Sequence, residues 1–433
     1  MTIAPAEHDA PSQYPDPIEL LIKEAQMRTR RRRRRVGLAI ILVASGSVLV
    51  WALSGGVNGP SSPLRVSGGN SSGSAPALPN SPAADVVSQS RISCGASDMV
   101  ASGSHLWIVG CTFKTTSIYS ARVASVVELN ASDGSLARDI KAKVDGFDYP
   151  NYIAVGQRNV WVANDNNTVT ELNASNGTLV RVLNAKAYGF NGIAGIAVYG
   201  SHVWVSDANS NSLTELNANS GSLVRVVRLN SGTVAGTNGI AVYGSHLWLS
   251  NGSESGNSVI ELNANNGSVV RVFKGAQYGF NGPADVVVRE SRVWVTSGWG
   301  LRYTTVQASA QPNQYGGSVT ELNANSGAVD RVIKSKADDF YGSAGVALVG
   351  SRVWIANSYG NTLTELNASN GSLVRVIKTN RNSYSGGPSV IVVSGSHLWA
   401  LDGSFLLSAQ SDLWGSSLTE LNASNGSAVR TIK

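Results

Sequence analysis

Residues that carry chemistry are scarce in this chain. Its 433 residues hold two cysteines, five histidines and three methionines, and only 14% are charged. Two thiols with no second pair and no neighbouring histidine pair do not make a zinc site. No window beyond residue 94 places apolar residues at helical spacing over three turns, which excludes a helical solenoid. Excess positive charge is small as well. The formal charge is +6, and residues 1–35 supply half of it, with eight Lys/Arg against five Asp/Glu. A domain near +3 advertises no polyanion partner, and no aromatics interleave the basic run, so nucleic acid is not expected as a ligand.

What the chain does have is a segment repeated seven times. An apolar stretch carries a tryptophan (Trp107, Trp161, Trp204, Trp248, Trp294, Trp354, Trp399), and Glu-Leu-Asn-Ala follows, beginning at Glu128, Glu171, Glu215, Glu261, Glu321, Glu365 and Glu420. Successive tryptophans lie 54, 43, 44, 46, 60 and 45 residues apart, a period of propeller blades. The third unit shows the grammar. Gly195–Val198 and Val203–Val205 read as strands around the turn Tyr199–His202, Ser212–Asn217 as a third strand, and Leu223–Val227 as a fourth after Asn219-Ser220-Gly221. Asn and Gly tolerate the positive φ of tight hairpins. Residues 94–433 are therefore expected to form an all-β, seven-bladed propeller of four-stranded antiparallel blades.

A blade buries its faces only against its neighbours, so the repeated tryptophan is expected to pack between blades. The Glu of each unit precedes an Arg by ten residues, from Glu128/Arg138 to Glu420/Arg430. That spacing sets the two opposite each other across a hairpin. Copied seven times, the pair reads as structural.

Ahead of the repeats, the basic tail 1–35 ends in Arg28 and Arg30–Arg35, and Val36–Val57 is uncharged and mostly aliphatic. That length suits about 30 Å of hydrocarbon. Residues 36–57 are thus expected to form a single uncleaved transmembrane helix in the plasma membrane, with the N-terminus cytoplasmic and the propeller outside. Residues 58–93, rich in Ser, Gly, Pro and Ala, read as a disordered, flexible stalk. Cys94 and Cys111 flank the first two strands of blade one, and on the oxidising side of a membrane they are expected to form a disulfide. Sequons such as Asn130-Ala131-Ser132 and Asn173-Ala174-Ser175 fall in the repeated turn, where Asn and Ser serve turn geometry.

The unit running from Val203-Trp204-Val205-Ser206-Asp207 to Leu213-Thr214-Glu215-Leu216-Asn217-Ala218-Asn219-Ser220-Gly221 resembles the bacterial propeller repeats of the YVTN, NHL and PQQ-like groups. It is also similar to the blades of streptogramin lyase. The resemblance covers all seven units and implies the fold, but these repeats host enzymes, binding modules and scaffolds alike. Likeness to the lyase implies a His general base and a carboxylate supporting a metal near the ring axis. This chain departs from that pattern. His8 lies in the tail, and His105, His202, His246 and His397 share one repeat position, filled elsewhere by Asn159, Arg292 and Arg352. A position open to His, Asn and Arg reads as a solvated turn. Nothing marks a residue set for a quinone, and no cofactor is expected.

Function is expected where the sevenfold symmetry breaks. The Trp-to-Glu distance is 10 to 13 residues in blades two, three, four and six, but 21, 27 and 21 in blades one, five and seven. The extra residues include Lys114 and Tyr119, then Trp299, Arg302 and Tyr303, then Trp414, which are candidate ligand-binding residues. Nine residues before each Trp stand Asp98, Tyr152, Gly195, Gly239, Asp285, Gly345 and Val390. Asp98 and Asp285 are candidates for a cation or hydroxylated ligand at the channel mouth, or simply acceptors at a strand start. Aromatic residues in the blade connections, among them Tyr188, Phe190, Tyr278 and Phe280, are expected to pack over blade junctions. The expected function is a non-catalytic binding or scaffold module for a glycan, cell-wall polymer or envelope protein; the alternative is a metal-assisted lyase or hydrolase using Asp98 and Asp285. Finally, because each unit carries its own four strands, the ring is expected to close without strand exchange between the chain ends. The rival closure pairs residues 85–92, which include Val86 and Val87, with blade seven.

Overall fold

A computed structural model describes residues 86–87, 96–114, 121–141, 146–156, 158–229, 237–253, 256–298, 317–334, 340–379, 387–402 and 417–432. They form seven sheets of antiparallel strands, each sheet one repeat. In blade three the strands are Ile193–Tyr199, His202–Asp207, Ser212–Asn217 and Leu223–Arg228, one or two residues longer at several ends than the turn residues alone suggest. The innermost strands, beginning at Asp98, Pro150, Ile193, Thr237, Pro283, Ser343 and Pro388, pack side by side in cyclic order, and the last touches the first. This is a closed seven-bladed propeller. The short helical turns Ala185–Tyr188 and Ala276–Tyr278 lie in blade connections. Among the described residues no helix is long and apolar enough to cross a membrane. Residues 36–57, read above as the membrane span, lie outside the described residues, as does nearly all of the stalk.

Each tryptophan is at most 2% exposed and packs against the following blade. Trp107 shares a cluster with Ile153, Val155 and Val160 of blade two, Trp294 with Val346 and Val353 of blade six, and Trp354 with Ile391 and Leu398 of blade seven. At the closing seam Trp399 meets Met99, Leu106 and Ile108 of blade one. Burying so large an aromatic body is a principal source of cohesion for a blade with no core of its own. Phe147, Phe190, Phe280 and Phe340 of the connections are buried too. Tyr188 stacks on Phe190, and Tyr278 on Phe280, with ring centroids 5.6 and 5.5 Å apart.

Closure differs from the unexchanged ring expected above. Val86–Val87 forms a two-residue strand parallel to the outer strand of blade seven, with Val86 beside Thr431 and Val87 beside Ile432. Blade seven keeps its own four strands and gains a fifth. The physical reason is the free edge: an outermost strand presents unpaired N–H and C=O groups, and β-branched valines are suited to a pleated strand there.

Candidate functional site

Asp98 opens the inner strand of blade one, Asp285 is the third residue of that of blade five, and both are buried. Each carboxylate spans two blades. Asp98 Oδ1 accepts the N–H of Met99 at 2.8 Å, and Oδ2 accepts the N–H of Ile153 in blade two at 3.0 Å. Asp285 repeats this with Val286 at 2.9 Å and with Val346 of blade six at 3.0 Å. Burial pushes the Asp98 carboxyl well above the ordinary carboxylate range; the two N–H donors pull it back, and the Asp285 charge raises it further. The two acids therefore feel each other, while each joins neighbouring inner strands. At three of the other positions in this ring, Gly195, Gly239 and Gly345, glycine lets the strands approach directly. A Cβ on Gly239 would stand 2.8 Å from Asp285 Oδ1, and one on Gly345 would stand 2.8 Å from the carbonyl oxygen of Ser389.

On the face formed by the first-to-second and third-to-fourth strand turns, a second arrangement is copied seven times. The Glu of every Glu-Leu-Asn-Ala is buried. Its Oε2 meets the Arg of the outer strand, as in Glu215–Arg225 at 2.7 Å and Glu261–Arg271 at 2.5 Å. Sequence register places these partners directly opposite. The other oxygen meets the variable position read above as a solvated turn. His105, His202, His246 and His397 bring Nδ1 to the Glu at 3.1, 2.6, 2.7 and 2.5 Å; Arg292 and Arg352 do so at 3.1 and 3.3 Å, and Asn159 donates at 2.6 Å. The position is partly solvated, with the His and Arg side chains 35–44% exposed, and His, Asn and Arg share one further property, an N–H donor for a buried carboxylate. The outer Arg then reaches the next blade. Arg138 donates to the carbonyl of Ala174 at 3.2 Å, Arg271 to that of Asn325 at 3.0 Å, and Arg331 to that of Ser369 at 3.2 Å. Arg430 of blade seven donates to the carbonyl of Asp133 in blade one and so closes the ring. Desolvation raises Glu128, Glu321 and Glu365 despite their Arg partners, and carries Glu171 to about 7.

The opposite face carries the second-to-third strand loops beside the blade connections. In the four short-loop blades the loop ends in an asparagine with positive φ: Asn167, Asn211, Asn257 and Asn361. Asn257 accepts the N–H of Gly282 at 2.9 Å and donates to the carbonyl of Phe280 at 3.1 Å, tying loop to connection. Blade one departs from the loop expected there. Its second and third strands run on as ten-residue strands, His105–Lys114 and Ala121–Asn130, with Lys114 paired to Ala121. Tyr119, Trp299, Arg302, Tyr303 and Trp414 lie outside the described residues, as does Cys94, so only the bases of those insertions are placed. At the base of the blade-five insertion, Gly317 donates its N–H to Phe340 at 3.0 Å. At that of blade seven, Asp402 is buried and accepts the Ser417 hydroxyl.

Three residues past each Trp, the end of the second strand holds Asn164, Asp207, Asn251, Ser297, Asn357 and Asp402 in blades two to seven, all buried. Sequence reading passed over this set, although the recurrence of Asn and Asp at a fixed offset marks it. Asp207 accepts from the Asn191 N–H at 3.0 Å and from the Thr214 hydroxyl at 3.3 Å. Burial outweighs these donors and lifts Asp207, and likewise Asp402, to about 7. Among the described residues no three His, Cys, Asp or Glu side chains gather closely enough to hold a metal ion.

No family model matches this chain, and no curated protein matches it significantly. Solved structures do. Hydrazine synthase of Kuenenia stuttgartiensis is similar with a TM-score of 0.55 and 16% identity, over 73% of this chain and 96% of that one. The WD40 repeats of RRP9 give a TM-score of 0.54 and 12% identity, over 74% of this chain and 91% of that one. U3-55K gives 0.55 and 11%, over 76% of this chain and 95% of that one. At such identities the likeness shows the propeller fold alone.

Proposed function

We propose that the chain is a membrane-anchored propeller displayed outside the cell, acting as a non-catalytic binding or scaffold module for a glycan, cell-wall polymer or envelope protein. The observation that carries this reading is the division of labour between the two faces. On the turn face each buried Glu, with its His, Asn or Arg partners, is engaged in holding strands and blades together, and the axial Asp98 and Asp285 join inner strands. The insertions of blades one, five and seven stand outside the repeat, and their sequences include Tyr119, Trp299, Arg302, Tyr303 and Trp414. The described strand ends that carry them lie on the face of the blade connections. Long loops on a rigid scaffold are common carriers of binding. The apolar run 36–57 behind an arginine cluster supports the anchor.

The test is exchange of the three insertions for the short loop of blade three, followed by pull-down against envelope fractions and a glycan panel. Binding by the parent and none by the exchanged variant is the expected result. Binding that survives the exchange, or a parent that binds nothing, sinks the reading. The alternative, a metal-assisted lyase or hydrolase at Asp98 and Asp285, predicts a Tm that rises with Mg²⁺ or Ca²⁺ and falls back with chelator.

A further inference from the structure

Among the motifs left over from the functional reading is the turn between the third and fourth strands. In four blades it contains Asn-Gly followed by Ser or Thr: Asn176-Gly177-Thr178, Asn266-Gly267-Ser268, Asn370-Gly371-Ser372 and Asn425-Gly426-Ser427. Each of these asparagines is exposed. Its Oδ1 accepts the backbone N–H two residues on, at 3.0 Å in Asn176 and 2.9 Å in the other three. In Asn176, Asn370 and Asn425 it also accepts the Ser or Thr hydroxyl, at 2.8 Å in each. Donors on Oδ1 withdraw electron density from Cγ. The next residue has no Cβ to shield its backbone nitrogen, and it takes a positive φ.

Blade one carries aspartate in the same place. Asp133 Oδ1 accepts the Ser135 N–H at 2.9 Å and the Ser135 hydroxyl at 2.6 Å, the same two bonds that hold Asn176. The carboxylate sits beside Arg430 of the preceding blade, whose charge helps to hold it below the usual carboxylate range after the Ser135 donors. The modifiable turns have the same neighbour. Arg138, Arg225, Arg331 and Arg375 of the preceding blades lie beside Gly177, Gly267, Gly371 and Gly426.

We infer that these four turns are sites of spontaneous deamidation and that the fold accepts the aspartate product without loss. The glycine N–H, which donates to the carbonyl of the asparagine that opens the turn, leaves that bond and gives its proton to hydroxide. The nitrogen attacks Cγ, the Cγ–Nδ2 bond breaks, and Nδ2 takes a proton from water and leaves as ammonia. Water then opens the succinimide to aspartate or isoaspartate. Each event adds one negative charge beside a guanidinium on the turn face. An exposed pair of that kind contributes little to stability in either direction. Two comparisons within the molecule sharpen the inference. Asn173, Asn367 and Asn422 have the same donors on Oδ1, but alanine follows each. Asn191 is exposed and precedes Gly192 as well, but it lies in a blade connection rather than in this turn.

The experiment is to hold the full-length native protein in alkaline buffer and map peptides over time, with an isoaspartate-specific readout. The amide-to-acid mass gain is expected at Asn176, Asn266, Asn370 and Asn425 well before Asn173, Asn367 and Asn422. The variant N176D/N266D/N370D/N425D is expected to unfold cooperatively, with a Tm no lower than the parent's. The inference is overturned if the native turns stay unmodified while the chain in denaturant reacts. It is equally overturned if the Asn-Ala sites react as fast, or if N425D alone lowers the Tm.

Discussion

Blades two, three, four and six join their second and third strands by short loops, whereas blades one, five and seven carry insertions there. In the first group a left-handed asparagine ends the loop. The corresponding positions in the second group are Ala124, Gly317 and Ser416, none of which offers a carboxamide to a connection. Below the loops the groups are alike, with the same tryptophan, the same buried Glu and the same bridging Arg. The ring-building parts are thus independent of loop length, and a blade can grow an insertion without weakening the frame that carries it.

The largest expected effect tests that independence. Arg225→Ala in short-loop blade three leaves the buried Glu215 with only His202 for a partner. Arg430→Ala does the same to Glu420 in long-loop blade seven. Stranding a buried carboxylate typically costs about 3–5 kcal/mol. Denaturant unfolding is expected to show a loss of that order in both, with Arg430→Ala the greater because it also breaks the bond to Asp133 across the closing seam. A loss confined to one of the two blades would mean that loop length does reach the frame.

The second comparison is between Asp207 in short-loop blade three and Asp402 in long-loop blade seven, at a position held by asparagine in blades two, four and six. Both titrate at about 7 in the folded protein, chiefly because burial penalises the charge, against about 4 when unfolded. Between those values the folded state holds the extra protons, so stability falls as pH rises through the window and levels off above about 7. Asp207→Asn and Asp402→Asn are each expected to flatten that slope and to add on the order of 1–3 kcal/mol at pH 8. Unchanged pH profiles of Tm in both variants would show that the acids are solvated.

The frame was legible in the sequence because repetition multiplies a weak signal. One Glu and one Arg ten residues apart mean little, but seven such pairs specify a hairpin register, and the observed pairing of Glu215 with Arg225 agrees. The inter-blade packing of the tryptophans was legible, but the partners of polar contacts between units were not. Asp98 finds the N–H of Ile153 only once neighbouring inner strands stand side by side. The histidine position is partly exposed, as its varied residue types suggest, but the common partner of those residues lies in another strand. The strand Val86–Val87 is too short for a period, and its site exists only after blade seven has folded. The loops were legible as lengths and as aromatic content, since their residues follow no repeat.

The smallest expected effect bears most directly on what separates the two groups. Asn257 holds φ 37° and two hydrogen bonds to the blade-four-to-five connection. Alanine there loses both bonds and takes on a conformation that L-residues other than Asn and Asp rarely adopt, at about 1–2 kcal/mol together. Ala124 stands at the equivalent place in blade one, where the strands continue past it in regular pairing. A carboxamide there has no loop to close, so Ala124→Asn is expected to change stability within about 0.5 kcal/mol or to destabilise slightly through its burial. The pair of variants separates two accounts of the long-loop blades. If Asn257→Ala falls by about 1–2 kcal/mol while Ala124→Asn brings no gain, asparagine serves only where a loop must turn back onto its connection. A clear gain from Ala124→Asn would mean instead that the long-loop blades lack a stabilising residue they have room to use.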